Sequence, residues 1–159
     1  MEIRKIKKEE YQKAQALIAD IMKDEFSEDL SAYPLQDIDD IGASYGNLGE
    51  AFFIVVIDDD VAGTVGIKRE DERTAFLRRL FVKPECRRKK VGSQLLDRAI
   101  DFCREVGYQE IVLKTTSRMQ GAIKLCQSKG FAEKAKLNLG SIELLKFTLF
   151  LKENSPLAS

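Results

Sequence analysis

The sequence predicts a single domain that mixes α-helices with a β-sheet (α/β or α+β), and three observations carry this prediction. The chain has 159 residues, a length that suits one hydrophobic core. Apolar runs of strand length alternate with segments of helical periodicity. In the second half a helix lies between two strands, an order that implies a right-handed crossover. We expect the domain to span residues 1–152 and a short polar tail to occupy residues 153–159.

The N-terminal third is predicted to contain one short strand and one long helix. Ile3 and Ile6 indicate the strand. The helix is expected from about Lys8 to Glu25, because apolar residues recur there at helical spacing. Tyr33-Pro34 interrupts the pattern, and a short helix or loop follows as far as the glycine-rich segment 42–49.

Three strands are predicted in the middle of the chain. Residues 51–57 are all apolar and indicate a buried strand. The run Asp58-Asp59-Asp60 indicates a turn, and residues 61–68 form the returning strand of a hairpin. Residues 75–82 are predicted to form the third strand, which ends at Lys83-Pro84.

The clearest helix follows these strands. From Val91 to Val106 the apolar residues form one stripe, and Gly107 is typical of a helix C-terminus. Residues 111–113 indicate a short strand that is buried on both faces.

The last part of the chain is predicted to form a helix and a hairpin. Ser117 is expected to cap a helix that runs from Arg118 to Ser128, with Gly130 just past its end. Residues 131–139 and 143–151 are expected to pair as the closing hairpin.

Charge and residue inventory exclude several classes of function. Lys+Arg and Asp+Glu number 26 each, for a net charge of zero, which argues against a protein that mainly grips nucleic-acid phosphates. The chain has no histidine, which excludes Ser-His and Cys-His nucleophilic pairs. Its three cysteines, Cys86, Cys103 and Cys126, form no CxxC pair and indicate reduced thiols of a cytoplasmic protein. We therefore expect no metal site.

Membrane association is not expected either. The segment Met1 to Lys8 is charged and lacks the apolar run of a signal peptide. The longest uninterrupted apolar run, residues 51–57, is too short to cross a bilayer.

The segment from Leu80 to Ser93 carries the chemical information. A strand ends at Val82, four consecutive cations follow at 87–90, and a long helix begins near Val91. Helix starts expose unpaired N–H groups and the positive end of the helix dipole, and Gly92 leaves room for a ligand near the backbone. These features indicate a pyrophosphate cradle. The alternative is a solvated basic loop in front of a surface helix.

Three motifs in this part of the chain occur together at a characteristic spacing. Residues 80–85 match the run L-Y/F-V-x-P-E. Residues 87–92 match Q/R-x-x-G-x-G/A at Arg87 and Gly92, with Lys90 in place of the first glycine. Residues 122–131 match A-x-x-L-Y-x-x-x-G-F except that Cys126 takes the place of the tyrosine. From about residue 50 to 135 the chain thus resembles the GNAT family of N-acetyltransferases.

The resemblance implies a fold, a co-substrate and a reaction. The fold is a mixed central sheet of about six to seven strands, flanked by about four helices, with a V-shaped split between the two central strands. Acetyl-CoA would lie in the split, and its acetyl group would pass directly to a primary amine. The acceptor would be a small molecule or a lysine side chain, and the protein a monomer or homodimer. The implied CoA-binding residues are Leu80, Phe81, Val82, Arg87, Arg88, Lys89, Lys90, Val91, Gly92 and Ser93.

The chain departs from the family at its usual proton-transfer positions. Phe76 stands where many relatives have a glutamate, and Cys126 stands where they have an acid tyrosine. Cys126 is the candidate catalytic residue, as a weak proton donor; the alternative is that it packs as a small apolar residue. Met119 replaces the usual asparagine and is expected to pack. Other groups considered as proton carriers are Glu70, Asp71, Glu72, Tyr33 and Tyr45.

The acidic residues are concentrated in segment 20–60, which contains twelve acids and one base, Lys23. An acidic acceptor side would attract a cationic amine; the alternative is that these acids only solubilise the surface. Two other functions stay open. One is a GNAT-fold acyl-CoA-binding or regulatory module with weak catalysis, and the other is an unrelated phosphate-binding domain.

Overall fold

A computed structural model describes residues 1–31 and 33–151. These residues form a seven-stranded mixed sheet in the order β1-β2-β3-β4-β5-β7-β6. The strands are β1 (Glu2–Lys5), β2 (Ala51–Ile57), β3 (Asp60–Arg69), β4 (Thr74–Val82), β5 (Glu110–Thr116), β6 (Ala132–Leu139) and β7 (Ile142–Phe150). The predicted tail, residues 153–159, and the last residue of the predicted domain lie outside the described residues.

The helices lie on both faces of this sheet. They are α1 (Tyr11–Glu25), α2 (Gln36–Asp39), α3 (Ile41–Ser44), α4 (Val91–Val106) and α5 (Gln120–Ser128). Short 3-10 turns occupy Lys8–Glu10, Ser27–Asp29 and Pro84–Cys86. The predicted mixed α/β fold is confirmed, and two of the five α-helices are single turns of four residues.

Among the element boundaries that differ from the prediction, the extent of β5 and the start of α5 differ for the same reason. Strand β5 is longer than residues 111–113, because it pairs with β7 from Glu110 to Thr116. The N–H of Ser117 then donates to the carbonyl oxygen of Glu143. Ser117 is thereby tied to the sheet and does not cap α5; Met119 occupies the N-cap position instead.

The core has two layers, one on each face of the sheet. Helix α4 packs its apolar stripe against one face, where Leu95, Leu96 and Cys103 are fully buried. Complete burial of a leucine contributes about 1.5–3 kcal/mol, so this stripe is a major source of stability. The stripe was predicted to include Val106, but this residue is 39% exposed, whereas Phe102 is buried. Helix α1 covers the other face through residues such as Ile18 and Met22.

The two central strands separate part of the way along the sheet. Residues Thr74–Leu77 of β4 pair in parallel with residues Glu110–Leu113 of β5, and the pairing of these two strands ends there. Beyond this point β4 pairs with β3 alone, through an irregular register opposite Thr64–Gly66. Arg79 lies at this irregularity with a φ of +56°, and the Thr64 hydroxyl donates to its carbonyl oxygen at 2.7 Å. A bulge bends its strand and increases the twist, so β4 turns away from β5 and the predicted V-shaped split opens.

Among the described residues, no helix has both the length and the apolar character that crossing a membrane would require.

Candidate functional site

A large cleft opens where β4 and β5 separate. Its volume is about 720 Å³, within the range of small-molecule sites. The end of β4, the basic loop, the start of α4 and the start of α5 form its walls. Nine of the ten residues predicted to bind a nucleotide line it, namely Leu80, Phe81, Val82, Arg87, Arg88, Lys90, Val91, Gly92 and Ser93. Lys89 is exposed and does not line the cleft.

The start of α4 forms the polar end of the cleft. The first N–H in the helix with an intrahelical partner is that of Gln94, which donates to the carbonyl oxygen of Lys90. The N–H groups of Val91, Gly92 and Ser93 precede it and have no helical acceptor. They therefore combine with the positive end of the helix dipole to favour an anion at this position.

The backbone of the basic loop explains one of the sequence motifs. Arg88 and Lys90 have φ values of +66° and +62°, in the left-handed region that favours glycine. Lys90 occupies the position of the motif's first glycine, so the loop keeps the conformation and replaces glycine with a cation. Gly92 packs closely, since a Cβ there would lie 3.1 Å from the Leu125 side chain and would require a small shift of that side chain.

Arg87 is held at the mouth of the cleft by two elements. Its guanidinium donates hydrogen bonds of 2.6 and 2.8 Å to the Glu25 carboxylate at the end of α1. Its Nε donates to the carbonyl oxygen of Val82 at 3.0 Å. Glu25 itself lines the cleft. A carboxylate therefore lies close to the cationic side chains of the basic loop.

Several residues of the cleft escaped the sequence analysis. They are Glu25, Phe26, Arg118, Gln120, Gly121 and Leu125. Arg118 forms ion pairs with Asp29 and Glu28, with N–O distances of 3.2 and 2.5 Å. A cation directly after β5 could have been singled out, because the carboxyl ends of β4 and β5 lie at the same edge of the sheet.

A second, smaller cavity adjoins the cleft. Its volume is about 120 Å³, and it lies on the side of the split opposite the basic loop. The two cavities share Leu80, Phe81, Met119 and Ala122 as walls. A reactive group at the inner end of the cleft would therefore face a molecule in the second cavity.

The two candidate tyrosines lie in different places. Tyr33 lines the second cavity, and its hydroxyl donates to the carbonyl oxygen of Lys114 at 2.9 Å. Burial raises the pKa of Tyr33 to about 12. Tyr45 is buried under Gly66 and donates to Asp37 at 2.5 Å. Burial and the Asp37 carboxylate raise its pKa, and it lines neither cavity.

The structure places Cys126 in the core. Its side chain is 0% exposed and belongs to neither cavity wall. Burial raises its pKa to about 12. Transfer of its proton to an ordinary thiolate, of pKa about 8.5, would therefore be uphill. These facts favour packing over the predicted role as proton donor.

Of the other candidate positions, Phe76, Asp71 and Glu72 bring no titratable group to the split. Phe76 lines the second cavity and offers no titratable group. Asp71 and Glu72 lie in the turn that precedes Thr74, at the opposite end of β4 from the split. The Asp71 carboxylate accepts the N–H groups of Arg73 and Thr74, so it shapes this turn.

A buried ion pair supports the bulge of β4. The Arg79 side chain is 1% exposed and pairs with Asp37. Its Nε donates to Asp37 at 3.0 Å and its Nη2 to the carbonyl oxygen of Pro34 at 2.6 Å. Burial works against ionisation of Asp37, but hydrogen bonds from Arg79 and Tyr45 hold its pKa below the usual value.

The amino-acid sequence is similar to those of known proteins. A family model described as "Acetyltransferase (GNAT) family" matches residues 16–131. A Xenopus laevis protein named "Probable N-acetyltransferase camello" is 33% identical over 118 residues, 72% of this chain and 53% of that relative. The chain thus spans about half the length of this curated relative.

Solved structures share the fold over nearly the whole chain. An N-acetyltransferase from Staphylococcus aureus Mu50 superposes with a TM-score of 0.82 at 25% identity, covering 95% of this chain and 98% of that one. The yncA protein of Salmonella typhimurium, solved with its cofactor acetyl-CoA, has a TM-score of 0.78 at 20% identity and covers 97% of this chain and 95% of its own.

Proposed function

Because the chain belongs to the acetyltransferase (GNAT) family, we propose that it moves the acetyl group of acetyl-CoA directly to a primary amine. One observation carries the proposal. The large cleft ends at the free N–H groups of α4 and shares four wall residues with a second cavity. One cavity would hold the acyl donor and the other the acceptor.

The residues of the cleft fit acetyl-CoA. The diphosphate would bind the N–H groups of Val91, Gly92 and Ser93, with Arg87, Arg88 and Lys90 supplying positive charge. Lys89, which the motif also suggested, would act only at long range. The pantetheine arm would lie along Leu80–Val82, whose edge toward β5 has no strand partner. It would there take the place of a neighbouring strand.

The reaction balances without a covalent enzyme intermediate. The nitrogen of a neutral amine attacks the carbonyl carbon, a C–N bond forms and the C–S bond breaks. The departing thiolate takes up the proton that the amine nitrogen loses, so the products are an N-acetyl amine and CoA. A backbone N–H on the free edge of β4 would stabilise the oxyanion. With Phe76 apolar and Cys126 buried, water is the proposed proton carrier.

Phe76 and Cys126 also favour a second function, that of a CoA-binding module with weak turnover. Neither supplies the acid or base that many relatives use. Positioning alone can nevertheless provide much of a rate enhancement, so turnover stays the primary proposal. The cytoplasmic location and the monomer or homodimer stay predictions, as does the expectation that the protein binds neither nucleic acid nor membranes.

One experiment separates the candidates. Acetyl-CoA is titrated calorimetrically, and thiol release is then followed with a broad panel of amines. Saturable binding with amine-dependent release supports the enzyme. Binding without release from any amine supports the module. If acetyl-CoA does not bind, both the enzyme and the CoA-binding module are refuted.

A double charge reversal tests the location of the diphosphate. We expect Arg87→Glu/Arg88→Glu to weaken acetyl-CoA binding by roughly a hundredfold, because two charge-assisted contacts are lost. The matched control is Lys7→Glu/Lys8→Glu, which makes the same charge change at exposed residues before α1. Equal affinities for both double variants would show that the diphosphate binds elsewhere.

A further inference from the structure

The second cavity is lined by cations from both sides of the split. Arg78 on β4 and Lys114 on β5 face it. Both lie over the ring of Phe76, at 5.8 and 5.3 Å from its centroid. Lys146 pairs with Lys114 across β5 and β7, so its side chain lies on the same face of the sheet. Positive charge is therefore concentrated at one end of the cavity.

Neither Arg78 nor Lys114 is neutralised. Within residues 1–31 and 33–151, no carboxylate forms an ion pair with Arg78 or Lys114. No aspartate or glutamate lines the cavity in this part of the chain. The contacts of Arg78 and Lys114 with the Phe76 ring are weak at a partly exposed site and neutralise neither charge. Both side chains thus remain available to an anion.

Arg79, whose charge is balanced by Asp37, adds a buried hydrogen-bond donor to the same wall. It lines the cavity, and its side chain is 1% exposed. Asp37 occupies its Nε and Nη2, but Nη1 has no hydrogen-bond partner among the described residues. A buried donor without a partner carries a free-energy cost, because it has lost its hydrogen bonds to water. An acceptor oxygen that reached this nitrogen would recover that cost.

Among the described residues, no acid of segment 20–60 lines the cavity, and Asp37, which contacts its wall, is paired with Arg79. Glu25 pairs with Arg87, Asp29 and Glu28 pair with Arg118, and Asp60 pairs with Lys83. Asp40 caps α3 through the N–H of Ala43. The expectation of a cationic acceptor rested on these acids, and the cavity does not present them.

The size of the cavity restricts what can enter. Its volume of about 120 Å³ is well below the roughly 300–1,000 Å³ of pockets for drug-sized ligands. Phe76, Leu113 and Leu144 give it apolar walls. A small molecule fits these dimensions, with its charged end at Arg78 and Lys114 and the remainder on the apolar side.

We propose that the acceptor is a small amine that carries a carboxylate, of the α-amino-acid type, and that Arg78 and Lys114 bind that carboxylate. This inference rests on the proposed acetyl transfer. The planar guanidinium of Arg78 matches the two oxygens of a carboxylate, and Lys114 adds a point charge. The amine then faces the shared walls and the thioester. A polyamine or a protein lysine has no carboxylate beside its amine and meets like charge instead.

The direct test compares acceptors that differ only in the carboxylate. Each of the common amino acids is assayed as the free acid, as its α-amide and as the decarboxylated amine, with spermidine and a lysine peptide alongside. Thiol release at saturating acetyl-CoA gives kcat/KM. We expect the best free acid to exceed its own amide by roughly ten- to a hundredfold. The amide has the less basic amine, so protonation of the amine cannot produce this preference.

Variants then assign the preference to residues. Arg78→Gln and Lys114→Gln are each expected to lower kcat/KM for the free acid by roughly tenfold or more and kcat/KM for the amide by much less, with the affinity for acetyl-CoA unchanged. Arg78→Lys is expected to restore part of the loss. The control is Lys134→Gln, which removes an exposed cation that also lies over an aromatic ring, 5.8 Å from the centroid of Phe150.

The outcomes separate this inference from the proposed function. Transfer to amides, decarboxylated amines, spermidine or the peptide that equals or exceeds transfer to free acids overturns the acceptor assignment and leaves acetyl transfer intact. A preference for free acids that survives in Arg78→Gln and Lys114→Gln overturns the assignment of the site. Bound acetyl-CoA without thiol release from any amine refutes the proposed function, and the acceptor assignment with it.

Discussion

Glu25 is the one acid among the described residues that line the cleft, and it occupies Arg87. A diphosphate at the start of α4 would lie near this carboxylate and would be repelled by it. We therefore expect Glu25→Gln to tighten acetyl-CoA binding roughly two- to tenfold. Isothermal titration at low and high salt measures the change, which should shrink as salt screens the repulsion.

Asp24→Asn is the matched control for this variant, because Asp24 is an exposed acid on the same helix that does not line the cleft. It removes the same charge and should leave the affinity almost unchanged. Weaker binding by Glu25→Gln would mean that Glu25 instead holds Arg87 in its binding position.

Cys126 provides the second prediction at the scale of the residue. Its complete burial and its raised pKa mark it as a packing residue, so Cys126→Ala should keep kcat within about twofold while it loses about 1–2 kcal/mol of unfolding free energy. Thiol-release kinetics and urea denaturation measure the two effects. A large loss of kcat in a variant of unchanged stability would instead make Cys126 the proton donor.

The loop before α4 holds a cation in a backbone conformation that favours glycine. Lys90 has a left-handed backbone, which costs a non-glycine residue roughly 1–2 kcal/mol. Lys90→Gly should therefore stabilise the protein by up to about 1 kcal/mol, since the greater freedom of unfolded glycine offsets part of the relief. Acetyl-CoA binding should weaken, because a cation is lost. Urea denaturation and calorimetry follow the two quantities.

Lys89→Gly is the comparison for this loop. Lys89 is also exposed and cationic, but it is not among the residues with positive φ. Glycine should therefore lower the unfolding free energy here by about 0.5–1 kcal/mol. Equal stability changes in both variants would contradict the strain assigned to Lys90.

Elements defined by local periodicity were predictable, whereas those defined by distant partners were not. The stripe of α4 predicted its bounds, because burial of one helix face requires that spacing. The extent of β5 and the start of α5 depend on hydrogen bonds to β7, which lies some thirty residues later and leaves no local signal at Ser117. The split itself was expected only from the resemblance of the motifs, since no pattern within β4 reveals where its pairing with β5 ends.

At the scale of the whole molecule, Asp37 ties the N-terminal helices to the central strand. It receives hydrogen bonds from Arg79 on β4 and from Tyr45 after α3. Removal of one partner from a buried pair costs about 3–5 kcal/mol. We expect Asp37→Asn to lower the unfolding free energy at pH 7 by about 3 kcal/mol, as measured by urea denaturation.

The pH dependence identifies the origin of this loss. Because the pKa of Asp37 is lower in the folded protein than in the unfolded chain, its contribution is fully present above about pH 5 and disappears as the pH falls below about 4. The difference in unfolding free energy between wild type and Asp37→Asn should therefore shrink as the pH falls below about 4. Asp39→Asn, at an exposed acid of the same helix, should show little change. A gap that persists at low pH would exclude the ion pair as its cause.

The site could be predicted from the sequence only where its parts are contiguous. The basic loop and the start of α4 are consecutive, so nearly all of the cleft residues predicted there do line it. Glu25, Arg118 and the Arg79–Asp37 pair reach the site from distant segments, and only the folded chain brings them together. The expectation of a cationic acceptor stays a prediction; it counted acids without knowing their partners, and the comparison of acceptors tests it.

A crystal structure of the protein with acetyl-CoA tests the central claim most directly. It should show the diphosphate oxygens within about 2.7–3.2 Å of the N–H groups of Val91, Gly92 and Ser93. The thioester should lie among Leu80, Met119 and Ala122, facing the second cavity. A diphosphate bound away from the start of α4, or a thioester directed out of the split, would contradict the account.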